Sequence, residues 1–457
     1  MVPISPFRAL LCLLGLALAT GCSHRYVNAP LTRINPGEGY NFQTHPRPNN
    51  SPEILFVLAF SGGGTRAAAL SYGVLDELRN STYAVDGQTR RMLDEVDAIS
   101  AVSGGSFTAA AYGLYGDELF QTFPDAFLKR DVQKVLVWKT LNPFRWPGLM
   151  SPNWGRSDMA SHYYDKILFT NATYADLQGR PGPFIVINAT DITSGARFSF
   201  TQQRFDYLCS DLSSFPISRA CAASSAVPGA LSPITLNNYA GDCGFVPPDW
   251  VIQPPPDLPA RVRLLARELR APLDQTNHPY IHLVDGGVTD NLGLREIIDD
   301  ATYFQYTPSL RRSVDISKLK KVVIISANAY SSPDRTWDLH EGPPGSIATA
   351  VAATSHTLDR FSFETLELMK QSIDNWKRQL GDPAQQDLIE FYPVMINFTN
   401  FKDAGERRFF LNLPTSFVLP GTDVDKLVGA GSRLLRENDE YLRFLRDIGA
   451  TRPEGPQ

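Results

Sequence analysis

An apolar run that stops at a serine between small residues constrains the fold more than any other stretch of this chain. Residues 96–102 read Val-Asp-Ala-Ile-Ser-Ala-Val, and Ser103 is followed by two glycines. The run predicts a buried strand that turns sharply into a helix, with Ser103 in strained backbone and its oxygen exposed. Residues 101–105 therefore indicate a nucleophile elbow. An ordinary strand-to-helix turn is the alternative interpretation of the same five residues.

A second strand, turn and helix pattern precedes the first. Residues 54–60 are continuously apolar, and the three glycines at 62–64 lead through Arg66 into a helical pattern over 67–79. Consecutive glycines allow backbone amides to point at one anion at a helix N-terminus. The loop fits an oxyanion hole, but its glycines and Ala67 also fit the loosened fingerprint of a dinucleotide-binding loop.

Ser103 needs a base, and the seven histidines of the chain lie in contexts that do not suggest a catalytic triad. His282 is the nearest rival, but on a predicted strand over 280–284 it alternates to the face opposite Asp285. Asp285 ends that strand, where side chains of an open α/β sheet reach the crevice. A carboxylate base must lie within direct hydrogen-bond reach of the hydroxyl. We predict that Asp285 is this base, with an ordinary Asp-Gly-Gly turn as the alternative.

The glycine loop, the elbow and the Asp-Gly-Gly turn, in this order, resemble the patatin-like phospholipases. Two further blocks match this family, at residues 188–195 and 222–229. The resemblance covers roughly residues 54–294, and Ala67 and Ala101 depart from the family pattern by one methyl group each.

The resemblance implies a three-layer α/β/α sandwich on a largely parallel central sheet, and we place this domain at residues 52–457 with a helical C-terminal flank. It implies a serine lipid acyl hydrolase of the phospholipase A or lysophospholipase type, acting on a lipid acyl ester without a cofactor or a metal. A catalytically inactive lipid-binding or scaffold lipoprotein, or a nucleotide-binding protein, are the alternatives. The implied site residues are the dyad Ser103 and Asp285, the oxyanion-hole glycines Gly62, Gly63 and Gly64, and Arg66, which orients the loop or contacts a phosphate.

Charge and cysteine content bound the remaining function classes. The formal net charge of -5 gives no basic footprint, so we expect no nucleic-acid partner. No Cys/His spacing suggests zinc. In an oxidising compartment one disulfide is expected among Cys209, Cys221 and Cys243, and the sequence does not choose the pair.

The first residues have the pattern of an export signal. A charged start, an apolar run over 9–19 and small residues before Cys22 predict a signal peptide at 1–21. Residues 18–22 also resemble a bacterial lipobox, which implies lipidation of Cys22 and, with Ser23 next, an outer-membrane location in the cell envelope. A plain secretory signal is the alternative. Residues 22–51, rich in Pro, Asn and Gly, predict a flexible tether.

An aromatic segment lies between the elbow and Asp285. Residues 137–154 contain three tryptophans and several prolines. Two interpretations remain open at this point: a lid that covers an acyl site or touches lipid, and a packed insertion.

Overall fold

The computed structural model describes residues 25–35, 37–85, 87–149, 151, 154–313, 316–380 and 389–450. The predicted signal peptide and Cys22 lie outside the described residues. Within the described ranges, no helix combines the length and apolarity needed to cross a bilayer.

Strands and helices alternate along most of the described chain. The strands are β1 Ala29–Pro30, β2 Ile54–Phe60, β3 Thr82–Val85, β4 Gln88–Arg91, β5 Ala98–Val102, β6 Phe184–Asp191, β7 Arg197–Ser199, β8 Ser210–Asp211, β9 Ile234–Asn237, β10 Tyr280–Asp285, β11 Lys321–Asn328 and β12 Glu390–Asn397. The helices are α1 Thr65–Asn80, α2 Gly104–Tyr115, α3 Leu119–Phe123, α4 Val132–Leu141, α5 Trp146–Leu149, α6 Arg156–Tyr164, α7 Tyr174–Gln178, α8 Gln202–Asp206, α9 Ile217–Ser224, α10 Asp249–Ile252, α11 Ala260–Arg270, α12 Gly287–Asp290, α13 Leu294–Tyr306, α14 Pro308–Ser313, α15 Ser346–Leu380, α16 Ala404–Leu411, α17 Gly421–Arg436 and α18 Asp439–Asp447.

The main sheet is largely parallel, as predicted. Its order is β12-β11-β2-β5-β6-β10-β9, with β7 paired to β6. The pairs from β12 to β6 are all parallel. Strand β10 is antiparallel to both of its neighbours, β6 and β9. The strand that carries Asp285 therefore runs against the parallel part of the sheet.

Alternation along β11 shows that helices cover both faces of this sheet. Val322 and Ile324 pack with residues of α13 and α15, including Ile298 and Met369. Val323 lies on the other face, in the larger core cluster that α1, α2, α17 and α18 share. Successive side chains of a strand point to opposite faces, so a strand apolar on both sides is buried between two helical layers. The predicted three-layer α/β/α sandwich is confirmed.

Several of the described residues between 25 and 51, a stretch predicted to be a flexible tether, are anchored on the domain. Tyr40 is fully buried, stacks on the Phe184 ring and accepts a hydrogen bond from the Ile185 amide at 2.7 Å. Strand β1 pairs with β8. A polar, proline-rich composition therefore masked a few deeply anchored side chains, whose burial offsets the entropy of ordering the segment.

The expected single disulfide joins Cys209 and Cys243. Cys221 is buried and free. The bond ties residues that follow α8 to the loop after β9, a choice between three cysteines that only their spatial positions could make.

Candidate active site

Ser103 occupies the turn between β5 and α2, as the elbow pattern predicts. Its backbone has φ 49° and ψ -119°, a strained conformation for a residue with a Cβ atom. Neighbouring bonds hold the strain: the Ser103 amide donates to Ser224 Oγ at 2.8 Å, and the Ser106 hydroxyl donates to the Ser103 carbonyl at 2.6 Å. Glycine is required at 104, because a Cβ there would lie 2.0 Å from the Gly64 carbonyl oxygen.

Ser103 and Asp285 lie in direct contact. The Ser103 hydroxyl donates to Asp285 Oδ2 at 3.0 Å, and the Gly287 amide donates to Asp285 Oδ1 at 2.8 Å. The two residues are 5% and 7% exposed. Burial raises the pKa of the Asp285 carboxyl to about 6, and the bonds from Gly287 and Ser103 limit the rise. The carboxylate is thus ionised at neutral pH and close to the range in which a general base is most effective.

The antiparallel course of β10 brings Asp285 to Ser103. Asp285 pairs with Ala189 on β6, one residue beyond Asn188, which pairs with Val102 at the end of β5. Strand β10 starts beyond the carboxyl end of β6 and runs back, so its last residue meets the elbow from the opposite direction. The turn after it is tight, since a Cβ at Gly286 would lie 2.4 Å from the Asn188 carbonyl oxygen.

The rival base does not reach the elbow. His282 lies on β10 with its Nδ1 2.9 Å from the Thr235 hydroxyl of β9. It is paired across the strands with Thr235, on the face opposite Asp285, as alternation predicts.

The glycine loop after β2 contacts the elbow, and its three backbone amides differ in whether they have a hydrogen-bond acceptor. The Gly62 amide donates to the Asn291 carbonyl at 2.9 Å, so it is not available to an oxyanion in this arrangement. The amides of Gly63 and Gly64 have no acceptor among the residues that the structure describes. Both have positive φ, 141° and 61°, which a side chain would disfavour. Of the three amides predicted to form the oxyanion hole, that of Gly62 is therefore bonded and those of Gly63 and Gly64 are free within the described residues.

Arg66 lies buried behind the loop. Its guanidinium donates to the carbonyls of Ala329 and Leu413, at 2.9 and 2.6 Å, and to the Thr415 hydroxyl at 3.0 Å. Burial lowers the pKa of this group to about 10. These contacts use three of the five N–H donors of the guanidinium and hold it against segments that contact the glycine loop.

Several supporting residues were not assigned a role from the sequence. Ser224 accepts from the Ser103 amide and donates to the Asn188 carbonyl at 2.6 Å. Both residues lie in blocks that carried the family resemblance, so a signal existed for them. Asn291 and Ser416 had none: they act through backbone carbonyls, and the Ser416 carbonyl accepts from Thr65 at 2.8 Å. A backbone contact leaves little trace in the identity of its residue.

The two alanines that depart from the family pattern are accommodated. Ala67 and Ala101 are 1% and 0% exposed, in regular helix and regular strand respectively. The extra methyl groups therefore add to the core and do not obstruct the turns.

These features define an α/β protein with a strained elbow serine, an adjacent buried carboxylate and a glycine loop. The family model described as patatin-like phospholipase matches residues 58–298, more than half of the chain. The protein belongs to the patatin-like phospholipase family. A comparison with curated proteins found no match.

Two solved structures of human GIVD cytosolic phospholipase A2 are similar to this chain. One of them is of the phospholipase itself, and the other is of its complex with methyl gamma-linolenyl fluorophosphonate. Each is 12% identical, with TM-scores of 0.45 and 0.41, and the matches cover 87% of this chain. They cover 60% and 59% of the phospholipase chains, so this chain spans about three fifths of their length.

Proposed function

We propose that this protein is a serine lipid acyl hydrolase of the phospholipase A or lysophospholipase type, with Ser103 and Asp285 as its catalytic dyad. Membership of the patatin-like phospholipase family supports the reaction class. The observation that carries the proposal is the 3.0 Å hydrogen bond from a strained elbow serine to a buried carboxylate.

In the proposed acylation step, Ser103 Oγ attacks the carbonyl carbon of a lipid ester while Asp285 takes the hydroxyl proton. The electron pair of the C=O bond moves onto oxygen, where the amides of Gly63 and Gly64 stabilise the negative charge. The N-terminus of α2 adds a favourable dipole at the same place. Collapse of the intermediate breaks the ester C–O bond, and the leaving alcohol takes the proton from Asp285.

In the proposed deacylation step, water replaces the alcohol. Asp285 takes a proton from the water, the resulting hydroxide attacks the acyl-serine carbonyl, and the same two amides stabilise the oxyanion. The C–O bond to Ser103 breaks, and Asp285 returns the proton to Ser103 Oγ. The free fatty acid leaves, and the dyad returns to its starting state.

A fluorophosphonate probe tests the dyad. We expect covalent labelling of the wild-type protein and complete loss of labelling in Ser103→Ala. Ser71→Ala is the matched control, because Ser71 is a buried serine of α1 whose hydroxyl has no partner among the described residues. Absence of labelling in folded wild-type protein contradicts the proposal and favours the inactive lipid-binding or scaffold lipoprotein.

The nucleotide-binding alternative has less support. A phosphate at the N-terminus of α1 needs free space, yet a Cβ at Gly64 would lie 2.3 Å from the Ser416 carbonyl oxygen, and a Cβ at Gly104 would lie 2.0 Å from the Gly64 carbonyl oxygen. The Arg66 guanidinium is buried and donates to the Ala329 and Leu413 carbonyls and to the Thr415 hydroxyl. Equilibrium dialysis with a labelled dinucleotide is expected to show no saturable binding.

The lipid that is cleaved is a separate question. Phospholipid, lysophospholipid, neutral ester and thioester all present the same carbonyl to Ser103. A panel of these lipids offered to the purified protein, with fatty acid release measured, identifies the substrate class. Release from none of them, in a protein that is labelled by fluorophosphonate, assigns the dyad to a smaller ester.

We further propose that Cys22 carries the lipid anchor of a protein in the bacterial cell envelope, at the outer membrane, and that residues 52–457 form the hydrolase domain. Two or more acyl chains are needed for stable anchoring. Arg25 already contacts Asn237 of the domain. Three residues extend over at most about 11 Å, so an anchor at Cys22 holds the domain against the bilayer.

Cys22→Ser tests the anchor. We expect release of the protein from the membrane fraction, or a block in maturation, with hydrolysis of a soluble short-chain ester unchanged. If the variant stays membrane-bound after a high-salt wash and is trimmed to the same mature mass, the plain secretory signal is the correct interpretation.

A further inference from the structure

Residues 129–156, called the basic–aromatic segment below, present apolar side chains to solvent. The described part contains α4, a short turn and α5. Folded proteins rarely leave large apolar side chains clustered at the surface without a partner. Five of the exposed large apolar residues of the described chain lie inside this segment, in the ten positions from 137 to 146. They are Val137, Trp138, Leu141, Phe144 and Trp146, with exposed fractions of 49, 64, 67, 93 and 50%.

The charge of this segment is opposite to that of the whole protein. It contains six basic residues and one acidic residue, a net charge of +5, in a chain whose formal net charge is -5. The remaining residues therefore carry a net charge of -10. A surface that combines aromatic side chains with local positive charge is complementary to an anionic lipid surface, where tryptophan prefers the headgroup level and Lys and Arg interact with phosphates.

Among the basic side chains of the segment, Lys129 pairs with Asp425 at 2.7 Å. Within the described residues, no ion pair joins an acidic side chain to Lys134, Lys139, Arg145 or Lys166. Partial burial, together with Arg145 and Lys166, lowers the pKa of the Lys139 ammonium. Lys139 therefore lies close enough to Arg145 and Lys166 to be repelled by their charges.

The segment is connected to the glycine loop of the active site. Gln133 Oε1, in the first turn of α4, accepts from the Ser416 hydroxyl at 2.7 Å and from the Phe417 amide at 3.1 Å. The Ser416 carbonyl in turn accepts from Thr65, next to Gly64. Two successive hydrogen bonds, through Ser416, thus connect the start of α4 with the end of the glycine loop.

The other end of the segment lies near the point at which the described chain begins. The Gly155 amide donates to Asp158, Arg219 donates to the other oxygen of Asp158 at 2.6 Å, and the Arg219 guanidinium lies 4.9 Å from the Tyr26 ring centroid. Residues 1–24, with the apolar run over 9–19, join the chain next to Tyr26. Any membrane attachment through these residues brings the same side of the domain towards the bilayer.

We propose that the basic–aromatic segment docks on an anionic lipid surface. In this docked state Trp138, Phe144 and Trp146 enter the headgroup region, and the neighbouring basic side chains pair with lipid phosphates. Delivery of bilayer lipid to Ser103 by this surface rests on the proposed hydrolase function, whereas docking itself does not depend on hydrolysis.

Tryptophan quenching by brominated lipid tests the contact locally. The full chain with Ser103→Ala is mixed with vesicles of phosphatidylglycerol and brominated phosphatidylcholine, so no lipid is consumed. We expect strong quenching, most of which is lost in Trp138→Phe/Trp146→Phe, while the amount of vesicle-bound protein stays the same. Trp337→Phe, a change outside the segment, is the matched control and keeps the quenching.

A second arm tests the charge. In the Cys22→Ser, Ser103→Ala full chain, sedimentation with phosphatidylglycerol vesicles at low salt should weaken about fivefold for each basic residue removed, in Lys134→Gln and Arg145→Gln. Arg312→Gln/Lys318→Gln removes two exposed charges elsewhere and should leave binding unchanged. An unchanged thermal unfolding midpoint shows that each variant is folded.

Two results would overturn the proposal that the segment docks on lipid. Bound protein without quenching, or quenching that persists in Trp138→Phe/Trp146→Phe, shows that the segment is away from lipid and overturns the proposal. Equal binding of the Lys134/Arg145 variant and its control also overturns it. Because every measurement uses Ser103→Ala protein, failure here is distinct from failure of fluorophosphonate labelling, which concerns the dyad alone.

Discussion

The elbow site, made of Ser103, Asp285 and the glycine loop, differs from the basic–aromatic segment in burial and in bonding. Ser103 and Asp285 are 5% and 7% exposed, and hydrogen bonds fix both. Phe144 is 93% exposed and Trp138 64%. Chemistry at a carbonyl needs groups held in one geometry, because small displacements reduce the rate, whereas contact with a fluid lipid surface needs exposed apolar area.

The difference predicts how each region responds to substitution. A change at the elbow site removes chemistry or breaks packing, and it acts on every substrate. A change in the segment leaves the site intact and acts only when the substrate is part of a lipid surface. Soluble and vesicular substrates, measured side by side, therefore separate the two regions.

The largest effect is expected for Asp285→Asn, which removes the proposed base but keeps the size of the side chain. Hydrolysis of a soluble short-chain ester should fall by at least about 10⁴-fold, as for loss of a catalytic carboxylate or base elsewhere. Asp97→Asn is the matched control, since Asp97 is also a buried aspartate but accepts from the Phe56 amide, remote from the dyad. Comparable losses in both variants would show that folding, not the base, is affected.

The next effect concerns the packing of the glycine loop. Gly64 and Gly116 have similar backbone angles, φ 61°, ψ -141° and φ 54°, ψ -129°. A Cβ at Gly64 would lie 2.3 Å from the Ser416 carbonyl oxygen, whereas a Cβ at Gly116 meets nothing within 4 Å. Gly64→Ala should therefore lower hydrolysis by about a hundredfold through a misplaced oxyanion donor, and Gly116→Ala should not.

Thermal unfolding completes this comparison. Gly116→Ala adds only backbone strain, about 1–3 kcal/mol, and Gly64→Ala adds the same strain and a clash. If the two variants have equal hydrolysis and equal stability, the loop tolerates a shift at Gly64, and its proposed role as an oxyanion donor fails.

A pH dependence of smaller amplitude follows from the buried carboxylate. Burial raises the pKa of Asp285 from its ordinary value near 4 to about 6, so the base is lost as pH falls through 6. Hydrolysis should drop about tenfold per pH unit below that value. A flat rate profile across this range of pH would exclude Asp285 as the titrating base.

The Asp285 carboxyl should also make the stability of the fold depend on pH, but in the direction opposite to that of hydrolysis. A carboxyl with a raised pKa favours the protonated folded state, so its contribution to the free energy of unfolding is present at low pH and is lost as pH rises through 6. The Asp285→Asn protein, which lacks this group, should therefore gain stability relative to wild type between pH 4 and pH 7. Chemical denaturation at both pH values measures the difference.

The smallest effect on the fold is expected in the segment. Phe144→Ala should change the free energy of unfolding by less than about 0.5 kcal/mol and leave soluble-ester hydrolysis unchanged. Hydrolysis of vesicle lipid should fall about fivefold, because partial burial of the ring in lipid contributes about 1 kcal/mol. Leu339→Ala, at a site that is 79% exposed outside the segment, should change neither. A loss on the soluble substrate would show that the two regions are not separable.

Local patterns predicted the parts of the fold that depend on neighbours in sequence. The apolar run at 54–60 corresponds to β2, and the helical pattern after the glycines corresponds to α1. The elbow needs a strand, a serine in strained backbone and glycine beside it, all within a few residues. Ser103 could be located for that reason, and Asp285 followed from the Asp-Gly-Gly turn at the end of β10.

Contacts between distant residues were decided by the tertiary structure alone. Ser103 and Asp285 are 182 positions apart, and the antiparallel pairing of β10 determines that they meet. The Asn291 carbonyl accepts from the Gly62 amide, whereas the Gly63 and Gly64 amides have no acceptor among the described residues. The three acceptors of the Arg66 guanidinium lie more than 260 positions away in the sequence. The sequence determined the local conformations and the chemical groups, because dihedral preferences and strand alternation act over a few residues. The structure decided the partners, since burial and backbone hydrogen bonds depend on the packing of the whole chain.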